Sequence, residues 1–125
     1  MKKLVAMLLL AYTPLSMACR YTPNSYVETD LQVRQLTVEG MEQRLALLQS
    51  GADTGALSRD ESTQAKVQAV FNSQGCTAAQ HHNYAARNAK LIADWYAAHV
   101  EQQRRRDDIA QRFTFFSNQL SQAAR

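Results

Sequence analysis

Glycine and proline are scarce in this chain. Its 125 residues hold four glycines and two prolines, and neither type occurs between Thr77 and Leu120. A stretch so poor in breakers is predicted to be helical, either as one long helix or as two end to end. No run alternates apolar and polar residues with β-branched enrichment, so strands are not expected and the predicted fold class is all-α. Histidine is limited to His81, His82 and His99. A helical metal pair needs a spacing of three or four residues to put both rings on one face, whereas adjacent His81 and His82 point about 100° apart. They are read as surface or interfacial histidines, and no metal or cofactor is expected. There is no Gly-x-Ser-x-Gly elbow, no glycine-rich phosphate loop and no carboxylate pair beside a histidine. Asp94 and His99 are five residues apart, on different helix faces. Without such a constellation an enzyme is not expected.

Concentrated charge is missing as well. The formal net charge is +3, but residues 1–18 contain Lys2 and Lys3 and no acid. In the remainder, twelve basic residues face eleven acidic ones. Nucleic-acid binding needs a concentrated basic face, and mixed signs at near-neutral balance argue against it.

What stands at the N-terminus has the plan of a bacterial secretory signal. Lys2 and Lys3 precede an apolar run from Leu4 to Tyr12, then Thr13-Pro14, then Ser16-Met17-Ala18 with small residues at the third and first positions before a cut. The apolar run is too short for a stable membrane span. Residues 1–18 are therefore read as a signal peptide and 19–125 as a single helical domain of the periplasm. Cys19 directly follows the expected cut, and Cys76 is the second of only two cysteines. Two readings stay open. Leu15–Cys19 resembles a lipobox, which would acylate Cys19 and tether the protein to the outer membrane. Alternatively, Cys19 pairs with Cys76 and the protein is soluble. The even count favours the disulfide, and closing so long a loop would contribute about 4 kcal/mol in the chain-entropy account.

The mature chain divides at its turn residues. Residues 19–25 form a polar tether with Ser25 as the expected N-cap, and residues 26–50 a first helix. Val27, Leu31, Val38, Met41, Leu45 and Leu48 form a heptad-like stripe once Arg34 takes one slot, widened by Leu36 and Leu47. Gly40 is its weak point, marking a close crossing or a bend. Ser50-Gly51 ends it, and Gly51–Leu57 reads as a loop. Ser58 and Glu61 have capping-box spacing, predicting a helix over 58–74 with Ala65, Val67, Val70 and Phe71 as its apolar face. Gly75 stops it, and Thr77 with Gln80 opens a second box. A long helix over 77–121 follows, with Tyr84, Leu91, Trp95 and Ala98 on one face, Ile92 and Tyr96 beside it, and Ile109, Phe113, Phe116 and Leu120 beyond the charged segment. The expected architecture is an antiparallel helical hairpin or three-helix bundle with one long C-terminal helix projecting past its partners.

That projection suggests a binding role. Arg104, Arg105 and Arg106 would steer a partner, although Glu101 with Arg105 and Arg104 with Asp108 have the spacing of intrahelical ion pairs. Phe113, Phe115 and Phe116 would anchor it, because near-consecutive aromatics cannot all face one core. The expected partner is another envelope protein or a second copy of the chain, with contact to membrane only through an acylated Cys19. The function this supports is an exported accessory or assembly component of an envelope, pilus or secretion complex. The alternatives are a periplasmic chaperone or inhibitor that binds a client in a helical groove, and a structural coiled-coil oligomer.

Overall fold

A computed structural model describes residues 19–51 and 54–123 of the chain, with the side chains of 54–59 left aside. The signal-peptide expectation for 1–18 lies outside the described residues. Among those residues every regular element is helical: α1 Pro23–Gln49, α2 Thr54–Ser73, α3 Ala78–Arg87, α4 Ala89–Ala98 and α5 Val100–Ala123. The fold is all-α.

α1 begins earlier than expected. Thr22, not Ser25, is the N-cap, and Pro23 occupies the first helical turn. Proline fits there because its fixed φ suits the helix and its missing N–H has no partner to lose. Thr22 Oγ1 accepts from the Ser25 N–H at 3.1 Å, and Ser25 Oγ accepts from the Thr22 N–H at 2.9 Å. This is a reciprocal box in which serine takes the place usually held by glutamate or glutamine. The helix ends as expected at Ser50, with Gly51 in the left-handed region at φ 79°. α2 also starts early, at Thr54. Ser58 therefore lies inside the helix and is not its cap, and the expected loop to Leu57 is correspondingly shorter. Gly75, at φ 67°, turns the chain after α2, and Thr77 with Gln80 caps α3 reciprocally.

The largest correction concerns 77–121. The chain breaks at Asn88 and His99 into three helices without any glycine or proline. Both residues turn a polar side chain back onto the carbonyl four residues earlier. Asn88 Nδ2 donates to the Tyr84 carbonyl at 2.9 Å. His99 Nδ1 donates to the Trp95 carbonyl at 2.7 Å while its ring stacks on the Trp95 indole at 3.8 Å. The His99 backbone N–H is displaced onto Tyr96 O at 3.0 Å. A side chain that competes for the helical acceptor bends or ends the helix.

These breaks bring α5 back onto α1 instead of letting it project. Arg105 shares a cleft with Ser25 and Glu28, Ile109 faces Val33 and Thr37, and Arg112 reaches Glu42 at 3.2 Å. The order of these pairs makes α5 run in the same sense as α1. α2 runs the opposite way, since Gly40 abuts Thr63 and Arg44 meets Asp60 at 3.6 Å. Both long helices pack on α1, which explains its wide stripe. Tyr26, Val27, Leu31, Val38 and Leu45 are buried, whereas Met41 and Leu48 are half-buried and Arg34 breaks the series at the surface. In α2, Val70 and Phe71 are buried, Val67 is half-buried and Ala65 is exposed. The break at Asn88 also alters which face of α4 is inside. Tyr96 is buried and Ile92 and Trp95 pack against the core, while Leu91 and Ala98 face solvent.

Cys19 and Cys76 are joined in a disulfide, with Cα atoms 4.7 Å apart. A sulfur in that bond cannot also carry a lipid thioether. Gly40 has a steric reason: a Cβ there would lie 2.9 Å from Thr63 Cγ2 and nearer still to Thr63 Oγ1. Threonine is β-branched and cannot swing aside freely. Gly40→Ala should therefore destabilise the fold by about 1 kcal/mol, although alanine is the better helix former. Gly40→Ala/Thr63→Ala should recover the loss, and denaturant unfolding of the wild type and the three variants of this cycle measures the coupling.

Candidate functional site

His81, expected from the sequence at the surface or an interface, is instead enclosed and hydrogen-bonded through both ring nitrogens. It lies in the first turn of α3 and is only 2% exposed. Its Nε2 lies 3.0 Å from Asp30 Oδ1 on α1, and its Nδ1 lies 2.9 Å from the Tyr21 hydroxyl in the segment before α1. A carboxylate only accepts, so the Asp30 contact places a proton on Nε2. The tyrosine hydroxyl satisfies Nδ1 in either protonation state, donating to the neutral ring and accepting from the charged one. Asp30 Oδ2 accepts from Arg34 Nε at 2.7 Å, one turn further along α1. The ring stacks on Tyr26 at 4.5 Å and meets Phe71 of α2 at 5.1 Å. Tyr84 stacks on Tyr26 at 5.1 Å. One imidazole thus joins the N-terminal segment, α1, α2 and α3, beside the Cys19–Cys76 bond.

The surroundings set the charges of this network. Burial by itself would raise the Asp30 carboxyl pKa, but hydrogen bonds from His81 and Arg34, with their charges, outweigh it and hold Asp30 below the usual carboxylate range. Burial and the nearby Asp30 charge push Tyr26 up to about 12 and raise Tyr21, so both phenols keep their protons at neutral pH. Both ring nitrogens of His81 are engaged and the ring is enclosed. Neither nitrogen reaches a substrate without opening the helix contacts. His82, by contrast, is exposed, its ring edge-on to that of His81 at 6.0 Å.

Comparison with known proteins finds no similarity: no family model, no curated protein and no solved structure matches this chain.

The residues expected to form one recognition surface are separated by the helix geometry. Arg104 pairs with Glu101 at 3.2 Å on the outer face of α5. Arg106 lies inward, its guanidinium 4.3 Å from the centre of the Tyr96 ring, a cation–π contact that fastens the turn between α4 and α5. Arg106 also meets Asp107 at 3.5 Å. Arg105 borders the polar cleft at the start of α1. Neither expected pair, Glu101 with Arg105 or Arg104 with Asp108, forms.

The phenylalanines divide in the same way. Phe116 packs against the core beside Ile109. Phe113 is 46% exposed and Phe115 56%. Two residues apart on a helix means about 200° of rotation, so these two side chains leave α5 in different directions. Phe113 borders a cleft of about 270 Å³ between α1 and α5, lined also by Val33, Arg34, Thr37, Ile109, Ala110 and Thr114. Phe115 touches Phe116 edge-on at 5.2 Å and otherwise faces outward. The site features that the sequence reading missed are the His81–Asp30–Arg34 chain and the α1–α5 cleft. The Asp30–Arg34 pair was visible as a four-residue spacing, whereas His81 is 51 residues from Asp30.

A carboxylate whose folded pKa lies below its unfolded value contributes stability that is fully present above the unfolded value and is lost as pH falls through the folded one. For Asp30 the reference value is 3.8. Asp30→Ala should destabilise the protein at pH 7 by about 3 kcal/mol, because His81 and Arg34 lose their shared partner. The gap between wild type and variant should narrow as pH falls below that reference value. Urea unfolding of both proteins from pH 7 down to pH 2.5 checks it.

Proposed function

We propose that this chain is an exported protein of the bacterial envelope that acts by binding another protein rather than by catalysis. Cleavage after Ala18 would release a domain closed by Cys19 and Cys76, suited to the oxidising periplasm. An accessory or assembly component of an envelope, pilus or secretion complex is the form that fits best. The observation that carries this reading is the exposure of two large aromatic side chains, Phe113 and Phe115, on a helix whose other outward residues are mostly polar. Aromatic groups left in water on a small domain mark contact surfaces more often than scattered aliphatic ones do.

A second reading has its own support. A cleft of about 510 Å³ between α1 and α2 is lined by Met41, Val67 and Phe71 among polar residues. A periplasmic chaperone or inhibitor would seat a client's apolar side chain there. Protection of several unrelated unfolded proteins from aggregation would favour it; selective capture of one envelope partner favours the first.

Phe113→Ala/Phe115→Ala should reduce capture of the native partner at least tenfold, read by quantitative pull-down from the native envelope, and leave the unfolding temperature within a few degrees of wild type. Phe116→Ala, which opens the core, should instead lower stability by about 2 kcal/mol and leave the folded fraction able to bind. Undiminished capture by the double variant contradicts the proposal.

A further inference from the structure

The α1–α5 cleft combines an apolar lining with one fixed cation. Val33, Thr37, Ile109, Ala110 and Phe113 supply its walls, and Arg34 stands at its edge with the side chain 52% exposed. Arg34 is not a freely moving surface arginine. Its Nε donates to Asp30 Oδ2 at 2.7 Å, and Asp30 is held in turn by the enclosed His81 ring. The bond to Nε fixes the guanidinium plane. Among the described residues the two terminal nitrogens have no hydrogen-bond partner. A guanidinium held on one edge presents the N–H groups of its other edge in a set direction, and the complement of that fork is a carboxylate. Because the orientation is already paid for by folding, less freedom is lost when a ligand docks.

The walls specify the rest of the ligand. About 270 Å³ accommodates one large apolar side chain or two small ones, not an extended chain. The cleft lies between two helices that run in the same sense, so a third helix laid along it would continue the packing. We propose that this cleft is the docking site for a helix of another protein that carries a bulky apolar residue with an Asp or Glu within one helical turn, and that Arg34 binds that carboxylate. The inference rests on the protein-binding reading above and adds the partner's chemistry. It also gives the buried network a role beyond stability, since Tyr21, His81 and Asp30 act as positioning residues for Arg34.

A photo-crosslinking amino acid at position 114, on the exposed rim of the cleft, tests this in the full chain expressed in its native envelope. A second at position 111, on the outward face of α5, serves as the control. The expected product at 114 is a partner peptide whose crosslinked apolar residue has an acidic residue within four positions. Its yield should fall at least tenfold in Arg34→Gln and about threefold or more in Arg34→Lys, which keeps the charge but not the fork. Yield should also fall severalfold when salt is raised to 0.5 M. If Arg34→Gln fails to fold by circular dichroism, the Arg34→Lys comparison decides. Unchanged yield in the folded Arg34 variants, a crosslinked segment without an acidic residue, or a second copy of this chain as the product would overturn the proposal. Crosslinking at 111 but not at 114 overturns the proposal and leaves the protein-binding reading standing. Absence of crosslinks at both positions overturns the two together.

Discussion

The buried imidazole of His81 is the constraint on which the rest of the arrangement depends. A polar ring enclosed among tyrosines and Phe71 is tolerable only if both nitrogens find partners, and those partners come from Tyr21 and Asp30. Meeting that requirement fixes where the N-terminal segment lies against α3 and where α3 lies against α1. The disulfide between Cys19 and Cys76 closes the same corner covalently, two residues before Tyr21 and one before the Thr77 cap. Loop closure and hydrogen bonding therefore act on one junction. The disulfide lowers the entropy of the unfolded chain, whereas the imidazole selects a single geometry for the folded one.

From that corner the chain must return along α1, and Asn88 and His99 provide the two bends. His99 takes over the carbonyl its own backbone N–H would otherwise use, whereas Asn88 adds its side-chain amide to the Tyr84 carbonyl that its backbone N–H keeps, and neither turn requires glycine or proline. Arg106 then locks the second bend by lying over Tyr96, so a residue from the charged segment becomes part of the packing. Once α5 lies beside α1, the long-range ion pair of Arg112 with Glu42 and the burial of Ile109 follow from the register.

Much of this was legible where the physics is local. The all-α class, the stop at Ser50-Gly51, the Gly75 turn, the Thr77–Gln80 cap and the inner stripe of Val27, Leu31, Val38 and Leu45 all come from propensity, capping chemistry and periodicity. The early start of α1 escaped because serine took the reciprocal position in its box, and Ser58 misled because the spacing of a capping box also occurs inside helices. The bends escaped because asparagine and histidine break helices only through a particular side-chain hydrogen bond. Without those bends, the sequence leaves α5 projecting and its aromatics on one recognition surface. Phe116 in fact supports the core, and Phe113 and Phe115 diverge. The Asp30–Arg34 spacing was readable, but its meaning depends on a histidine distant in sequence.

The central claim is that His81 and Asp30 act as one unit. A double-mutant cycle of His81→Ala and Asp30→Ala, followed by urea unfolding at pH 7 with the disulfide intact, measures that directly. The account predicts a coupling energy of about 2 kcal/mol, with the two single variants each losing most of what the double variant loses. A coupling below about 0.5 kcal/mol, the range of independent sites, would contradict it.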